Sequence, residues 1–286
     1  MPRLSIGMPL YNNARTLRRA LSSLQAQTFY DFRALLSDDG SSDETVGIAE
    51  EFALQDSRFV VVRQPRNLNY GNFRFVLNAA DTELFLFAPG DDWWEPSFVE
   101  ECVRALDADI NAVGAVSRVT FVDDAFSPTP AQSTKSLRGT VVDNLDTYIR
   151  NPSDNSRMYG VFRTASARLA FPKSDHFAFD WTFSAATLLF GTHIEVPQTL
   201  MFRETTPSPK YVQYIRRDAA KAWNRIFPLS AMTASLLFEK RIPVRVRTLR
   251  ALAAANLQAH ITYIREFHPR YWRNCGWLLS RIMWRL

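Results

Sequence analysis

The sequence predicts an α/β fold in which a mostly parallel β-sheet is covered by helices on both faces. Short apolar segments alternate four times with amphipathic segments at helical spacing over residues 4–122. This alternation favours parallel strands joined by right-handed crossovers. Strands that are apolar along their whole length predict a sheet buried on both faces. A chain of 286 residues, 47% of them hydrophobic, is long enough to bury a sizeable core.

The predicted elements of the first half follow one another with short turns. The first strand ends at Pro9, and Asn13 is a candidate cap for the next helix. Strands are predicted at residues 4–8, 32–37, 59–63, 84–88 and 113–122. The helices between them are predicted to bury Leu17, Ala20, Leu21 and Leu24, then Val46, Ala49 and Ala53, then Phe73, Val76, Leu77 and Ala80, then Phe98, Val99, Val103 and Leu106.

The second half of the chain has a less regular pattern. Residues 123–157 are rich in Ser, Thr, Pro, Asn and Asp, which predicts a loop-rich insert that closes over a site. Gly191 is expected to end a helix. The remaining predictions are strands at 158–164, 193–196 and 199–202, and helices at 181–190, 212–227, 231–238, 245–267 and 272–284. We therefore predict a domain of residues 1–209 and a helical extension of residues 210–286.

The two predicted parts differ in charge. Residues 1–209 carry 19 Lys and Arg against 26 Asp and Glu, whereas residues 210–286 carry 15 against 3. The sequence contains no export signal and no apolar stretch of about 18 residues or more, so we expect a cytoplasmic protein. The two cysteines, Cys102 and Cys275, lie far apart and indicate free thiols in a reducing compartment.

The basic extension admits two main interpretations. Its last predicted helix mixes Trp272, Trp277 and Trp284 with arginines, a pattern that suits an anionic membrane surface. The protein would then be peripheral on the inner face of the membrane. Alternatively, the extension packs on the domain and exposes its arginines to water. Nucleic-acid binding is not expected, because no recognised binding module is present.

Two pairs of acids follow predicted strands. Asp38 and Asp39 follow the second strand, and Asp91 and Asp92 follow the fourth. The carboxyl ends of parallel strands form the ligand-binding edge of an open sheet, so both pairs can face one cleft. Neighbouring carboxylates repel unless a cation lies between them, and Mg²⁺ prefers oxygen ligands that it shares with a substrate phosphate. Each pair can instead form the turn and cap of the next helix.

The sequence lacks the common phosphate-binding loops. The turn after the first strand is Pro9-Leu10-Tyr11-Asn12-Asn13, which has no glycine, and no Walker-type loop occurs. The negative charge of a phosphate group must therefore be balanced in another way, and a metal ion on Asp91 would provide the positive charge.

Four segments together resemble the family 2 glycosyltransferases, which are inverting enzymes of the GT-A fold with nucleotide-sugar donors. The segments are Met8-Pro9-Leu10-Tyr11-Asn12, Ser37-Asp38-Asp39-Gly40-Ser41-Ser42-Asp43-Glu44-Thr45, Asn67 through Asn78, and Gly90-Asp91-Asp92 followed by Pro96. The resemblance covers about residues 3–203. It implies a Rossmann-like GT-A sheet, a nucleotide-diphosphate sugar as donor (a UDP-sugar is favoured), a hydroxyl of a glycan or lipid-linked acceptor, and Mg²⁺ or Mn²⁺ as cofactor.

The resemblance also assigns roles to residues. Asp38 is similar to the acid that binds the base, and Pro9 and Tyr11 resemble residues that line the base pocket. Asp91 is similar to the metal-binding acid of the Asp-x-Asp motif, with Pro89 in place of the first acid. The other candidates for substrate contact are Asn12, Asp39, Asn67, Gly71, Arg74, Asp92 and Trp94.

Two departures from the family pattern affect these roles. Pro89 removes an acid, so either Asp92 shares its work or the metal is bound more weakly. Thr205 stands where relatives place a histidine, so no metal contact is assigned to it. Asp39 is expected to act mainly with Gly40 in shaping the turn after the second strand.

Inversion at a sugar carbon requires one general base. Asp180 resembles the catalytic aspartate of the family's Glu-Asp-x-x-Leu segment, with Phe179 in place of the glutamate. Asp180 is alternatively only a helix cap, and Asp175 and His176 are the second choices for the base.

Two other functions remain open at this point. A sugar nucleotidyltransferase would need a basic, glycine-rich loop near the N-terminus, which is missing. A non-catalytic sugar-binding or scaffold protein of the same fold is the other alternative, and Pro89 and Thr205 give it some support.

Overall fold

A computed structural model describes residues 2–123, 128–151, 154–205 and 227–267. Its strands are β1 (Leu4–Leu10), β2 (Phe32–Asp38), β3 (Phe59–Arg63), β4 (Leu84–Phe87), β5 (Trp93–Trp94), β6 (Ala112–Val122), β7 (Pro128–Pro130), β8 (Val161–Arg163) and β9 (Thr192–Glu204). Its α-helices are α1 (Ala14–Gln25), α2 (Thr45–Gln55), α3 (Tyr70–Asn78), α4 (Phe98–Ala108), α5 (Val141–Arg150), α6 (Thr164–Ala170), α7 (Phe179–Thr187), α8 (Ser230–Ala234) and α9 (Val246–Phe267). A 3₁₀ turn (Ser156–Tyr159) precedes β8, and a π-helical turn (Ser235–Glu239) follows α8.

The strands form one sheet in the order β3-β2-β1-β4-β8-β6-β9-β5, and β7 pairs with β6. The half built from β3, β2, β1 and β4 is parallel. β8 then runs antiparallel to both β4 and β6, and β5 and β7 are also antiparallel to their neighbours. The predicted α/β fold is confirmed, and its sheet is more mixed than the sequence suggested because short antiparallel strands complete the second half.

Alternating residues of β4 show why both faces of the sheet are covered. Leu84 and Leu86 point into a core formed with α1, α2 and α4. Phe85 and Phe87 point to the opposite face, into an aromatic core with α3, α6 and α7. Successive side chains of a strand alternate between faces, so a strand that is apolar throughout needs a helical layer on each side.

Several predicted elements differ from those observed. In α2 the buried positions include Ile48 and Phe52, whereas Val46 is only half-buried. The predicted loop of residues 123–157 contains α5, which Thr140 caps by accepting a hydrogen bond from the Asp143 amide. The Thr140-x-x-Asp143 spacing is a capping signal that the composition of the segment concealed.

Further differences fall in the second half of the domain. Two predicted strands are the single strand β9, whose pairing with β6 is interrupted by register shifts. α7 begins at Phe179 and ends at Thr187, rather than covering residues 181–190. The predicted strand at 158–164 is divided among the 3₁₀ turn, β8 and the start of α6. Short elements with little periodicity of their own explain these errors.

The described part of the extension packs on the domain. Leu229, Met232, Leu236 and Leu252 share one apolar cluster with residues of α5 and α7. Of the residues described, no helix is both long and apolar enough to cross a bilayer. The predicted helices at 212–227 and 272–284, with their tryptophans, and Cys275 lie outside the described residues, apart from Phe227 itself. Cys102 is buried as a free thiol. The boundary at residue 209 stays a prediction.

Candidate active site

A cavity of about 600 Å³ opens at the carboxyl ends of β1, β2 and β4. This is the edge of the sheet at which the sequence places its two pairs of acids. The wall is formed by Pro9, Leu10, Tyr11, Asn12, Asn13, Asp39, Asn67, Asn69, Tyr70, Asn72, Phe73, Pro89, Gly90, Asp91 and Tyr159. The predicted site residues Pro9, Tyr11, Asn12, Asp39, Asn67 and Asp91 are therefore brought together.

The loop after β1 is tied to the loop after β2. Asn12 adopts a left-handed conformation, with φ of 52°. Its amide N–H donates to Ser41 Oγ at 2.9 Å, and its side-chain Oδ1 accepts from the Ser42 amide at 2.9 Å. The Tyr11 ring beside it is 53% exposed on the cavity wall. The two loops thus hold a flat aromatic surface open to a ligand.

Asp38 is used within its own turn. Its carboxylate accepts hydrogen bonds from the amides of Gly40 and Ser41, each at 3.1 Å. Asp38 does not line the cavity, although Asp38 and Asp39 are equally buried, each at 3% exposure. The acid to which the resemblance assigns the base therefore lies outside this wall.

Asp39 is the acid of this pair that faces the cavity. Its two oxygens accept hydrogen bonds from the amides of Leu68 (2.6 Å) and Asn69 (2.8 Å). Burial raises the pKa of Asp39, although these two bonds oppose the shift. Successive residues at a strand end point to opposite sides, so sequence alone does not show which of two adjacent acids faces a cleft.

Gly71 and Arg74 lie in α3, outside the cavity wall. Arg74 forms an ion pair with Asp175 at 2.5 Å, and it also donates to the carbonyl of Pro172. Asp175 is therefore engaged away from the cavity wall. The structure does not bring Gly71, Arg74 or Asp175 to the site.

The second pair of acids is also divided between two environments. Asp91 lines the cavity beside Pro89 and Gly90. Asp92 is buried, and Arg203 Nε lies 3.3 Å from its Oδ2. Burial raises the pKa of Asp92 to about 8, and the Arg203 charge opposes this shift.

Trp94 is only 2% exposed and packs against Phe98 in the core. Asp92 and Trp94, which were predicted to contact substrate, therefore lie behind the cavity wall.

The metal ion that the resemblance implies would find few protein ligands in this cavity. Among the described residues, no group of three or more His, Cys, Asp and Glu side chains is arranged to hold an ion. Asp91 is a hard oxygen ligand on the wall, and Mg²⁺ commonly takes one or two carboxylates, several waters and the phosphates of a substrate. The residues fit an ion that is shared with a bound diphosphate.

Asp180 occupies the second position of α7 and is not its cap. The cap residue is Ala178, which has a left-handed φ of 60°. Asn155 Nδ2 donates to Asp180 Oδ2 at 3.0 Å. Burial raises the pKa of Asp180 above the usual range of an aspartate, which suits a general base.

His176, the other second choice for the base, is held by the local structure. Its Nε2 lies 2.9 Å from Thr182 Oγ1, and its Nδ1 lies 3.0 Å from the carbonyl of Ser174. This histidine is 7% exposed. Asp180 is therefore the better placed of the candidate bases.

Tyr159 is a residue of the cavity wall that is influenced by several of the acids near the site. Its side chain lines the cavity with Asp91. Burial raises the pKa of its phenol; Arg203 opposes this, and the charges of Asp92, Asp180 and Asp91 add to it. Phe179, the residue before Asp180, packs against Tyr70 and Phe73 of the cavity wall, so Asp180 lies near the same cavity as Asp91.

Sequence reasoning missed Tyr159, Asn155 and Arg203. Arg203 lies two residues before Thr205, the position at which relatives place a histidine. Its place in the sequence could therefore have marked it as a site residue. Tyr159 and Asn155 lie in the irregular stretch before β8, and no spacing marks them.

A sequence model of the family described as Glycosyl transferase family 2 matches residues 5–169. The chain belongs to this family. Its fold is of the GT-A type, as the resemblance implied. The chain spans about a third of the length of the curated relatives that it matches.

An individual relative agrees with this membership, and solved structures agree with the fold. The chain is 34% identical over 97 residues to the GalNAc(5)-diNAcBac-PP-undecaprenol β-1,3-glucosyltransferase of Campylobacter jejuni, a match that covers 32% of this chain and 30% of the relative. It is similar in fold to TarS of S. aureus in complex with UDP-GlcNAc, with a TM-score of 0.60, 16% identity and coverage of 92% and 81% of the two chains. It is also similar to the mannosyltransferase PcManGT of Pyrobaculum calidifontis in complex with GDP-Man and Mn²⁺, with a TM-score of 0.55, 16% identity and coverage of 98% and 85%.

Proposed function

We propose that this glycosyltransferase moves a sugar from a UDP-sugar to a hydroxyl group of a glycan or lipid-linked acceptor, with inversion at the sugar carbon. The observation that carries the proposal is one cavity with Asp39 and Asp91 in its wall, against which Phe179 packs directly before Asp180. The relative from Campylobacter jejuni, named for an undecaprenol-linked acceptor, and the UDP-GlcNAc complex of TarS support it.

The spacing of the two wall acids suits a nucleotide diphosphate. Asp39 follows β2 and Asp91 follows β4, and β1 lies between these strands. Two strand spacings separate β2 from β4 by about 10 Å at the sheet edge from which the two acids extend. A nucleotide places a ribose between its base and its diphosphate, so the base would lie near Asp39 and the diphosphate near Asp91.

Asp39 would accept a hydrogen bond from an N–H group of the base, because an ionised carboxylate only accepts. The exposed ring of Tyr11 would pack on the base or ribose, next to Pro9. We assign the base contact to Asp39 rather than Asp38, because both acids accept hydrogen bonds from loop amides but only Asp39 lies in the cavity wall.

Asp91 would hold Mg²⁺ or Mn²⁺ together with the donor diphosphate. When bound, such an ion offsets the negative charge that develops on the departing nucleoside diphosphate. Asp180 would take the proton from the acceptor hydroxyl while the oxygen of that hydroxyl attacks the sugar carbon. The bond from the sugar to the diphosphate oxygen breaks, and the nucleoside diphosphate leaves.

The acceptor would bring the protein to the inner face of a membrane if it is linked to a lipid. The excess of Lys and Arg over Asp and Glu in residues 210–286, 15 against 3, is compatible with contact to anionic lipid there. This peripheral location is part of the proposal.

Joint binding of metal and nucleotide gives a first test of the proposed function. Mn²⁺ alone is expected to leave the thermal unfolding midpoint unchanged, because Asp91 is a single carboxylate. UDP with Mn²⁺ is expected to raise it, by an amount that follows the excess of ligand over Kd. Thermal unfolding of the parent and of Asp91→Asn, with UDP, GDP and dTDP, measures this. A parent that responds to no nucleotide with any metal would instead favour a scaffold protein.

A second test separates the two acids after β2. Asp39→Asn is expected to weaken UDP binding about 10- to 100-fold, because a hydrogen bond to a charged group contributes about 1.5–3 kcal/mol. Asp38→Asn is the matched control and is expected to change the Kd little. Titration calorimetry with UDP and Mn²⁺ measures both. The opposite ranking would return the base contact to Asp38.

A further inference from the structure

The proposed base is contacted by a buried amide that belongs to another part of the chain. Asn155 is 2% exposed, and its Nδ2 donates to Asp180 Oδ2 at 3.0 Å. We infer that Asn155 is a positioning residue that fixes the Asp180 carboxylate for proton transfer. The inference rests on the proposed role of Asp180.

Tyr148 determines which way the Asn155 amide faces. The phenol of this α5 residue lies 2.7 Å from Asn155 Oδ1. Burial raises the pKa of Tyr148 well above its ordinary value, so the phenol keeps its proton and donates. With Oδ1 engaged by this donor, the amide presents its N–H to Asp180. The chain of hydrogen bonds runs from Tyr148 through Asn155 to Asp180.

The backbone around Asn155 is fixed on both sides. Asn155 has a left-handed conformation with φ of 48°, which asparagine tolerates better than most residues. Arg203 Nη1 donates to the carbonyl of Asp154 at 3.0 Å and to Ser156 Oγ at 3.1 Å. The Ser156 amide also donates to Asp154 Oδ1 at 2.9 Å. The amide is therefore carried on a turn with little freedom to move.

The other partner of the bond is fixed in a similar way. Ala178, two residues before Asp180, is buried and left-handed, a conformation that alanine seldom adopts. Strained residues persist only where the surrounding structure enforces them, and they cluster at functional sites. Asn155 is itself left-handed, and Asp180 follows the left-handed Ala178 by two residues. The backbone is therefore constrained near both ends of this hydrogen bond.

The environment of Asp180 gives this bond an effect on proton affinity. Burial raises the Asp180 pKa, whereas Asn155, the amide of Trp181 and the charge of Arg203 on β9 lower it. The charge of Asp180 in turn raises the pKa of Tyr148 of α5 and of Tyr159 of the 3₁₀ turn, and Arg157 and Asp154 act on Tyr148. Loss of the Asn155 donor therefore removes one interaction with the anion while the burial remains.

The experiment compares Asn155→Gly with Asn144→Ala. Glycine accepts the left-handed backbone but lacks the donor. Asn144 is another buried asparagine, and both atoms of its amide bond to the backbone of Gly139, so it is a matched control. The Asp180 pKa is measured by ¹³C NMR titration of protein labelled at the aspartate carboxyl carbons, with the signal assigned by its absence in Asp180→Asn. Release of UDP from UDP-GlcNAc and UDP-glucose with Mn²⁺ is followed over the same pH range.

Asn155→Gly is expected to raise the Asp180 pKa by about one to two units and to lower kcat about 10-fold at neutral pH, with the acid limb of the rate profile moved to higher pH. Asn144→Ala is expected to leave the Asp180 pKa as in the parent. Should Asn155→Gly not fold, Tyr148→Phe provides the same test and is expected to give a smaller shift in the same direction.

The outcomes separate this inference from the proposed function. An unchanged Asp180 pKa and an unchanged rate profile in Asn155→Gly, with Asp180→Asn inactive, would overturn the role of Asn155 and keep Asp180 as base. An Asp180→Asn variant that releases UDP at the parent rate would remove the base assignment itself.

Discussion

Replacement of Asp180 by asparagine is expected to lower the rate of sugar transfer by about 10²–10⁴-fold, the usual contribution of a general base. Asparagine keeps the size of the side chain but does not take up the acceptor proton. UDP binding should be preserved, because the nucleotide contacts are assigned to the loops after β1 and β2. The measurement is turnover of donor together with the Kd for UDP.

The dependence of activity on pH in the unmutated protein is a second test of Asp180 as the base. Because burial raises the Asp180 pKa, the base becomes protonated at a higher pH than an ordinary aspartate does. Activity should therefore fall as the pH decreases through that raised value, and it should be retained above it. Asp175→Asn is the control, since Asp175 is paired with Arg74 outside the cavity. Loss of activity in Asp175→Asn with a fully active Asp180→Asn would reverse the assignment.

At a pH above the raised Asp92 pKa of about 8, replacement of Arg203 by methionine is expected to destabilise the protein by about 3–5 kcal/mol, because the ionised Asp92 then loses its buried partner. The loss should be smaller at neutral pH, where Asp92 is largely protonated. Arg203 also donates to the carbonyl of Asp154 and to Ser156 Oγ, and both acceptors would lose this donor. Urea denaturation measures the free energy of unfolding. The same variant should lose transfer activity, because the turn that carries Asn155 would be loosened.

An ion pair with an exposed arginine provides the control for this prediction. Arg118 pairs with Glu195 at 3.2 Å, and its side chain is 57% exposed. Arg118→Met should therefore cost no more than about 1 kcal/mol. Adding Asp92→Asn to Arg203→Met should restore part of the lost stability, because the buried acid is then neutral. Equal effects of Arg203→Met and Arg118→Met would show that burial of the Asp92 pair contributes nothing.

The fold was largely predictable where the hydrophobic pattern is strong. The four residues expected to form the buried face of α1 are all fully buried, and the apolar run of β4 is covered on both sides. The pattern was insufficient for α5 and α6, because each is short and lies among polar or mixed residues. Packing onto α7, α9 and the sheet contributes to these helices, and such contacts are not visible in local spacing.

The sequence predicted where the candidate site lies better than it predicted which side chains line it. The position of the acids after β2 and β4 located the cavity, but the side on which Asp38, Asp39 and Asp92 lie depends on local geometry. Trp94 was chosen for its neighbourhood in the sequence, and the structure uses it as core. Asn155 meets Asp180 only through the tertiary fold, across 25 positions of sequence.

The packing of α5 and α7 has a consequence for attempts to obtain a minimal enzyme. These helices supply Tyr148 and Asp180, and the chain beyond residue 227 covers their apolar sides. A fragment ending at residue 209 would bare that surface next to the reacting groups. The extension, which the charge pattern sets apart from the domain, therefore supports the two helices that carry Tyr148 and the proposed base.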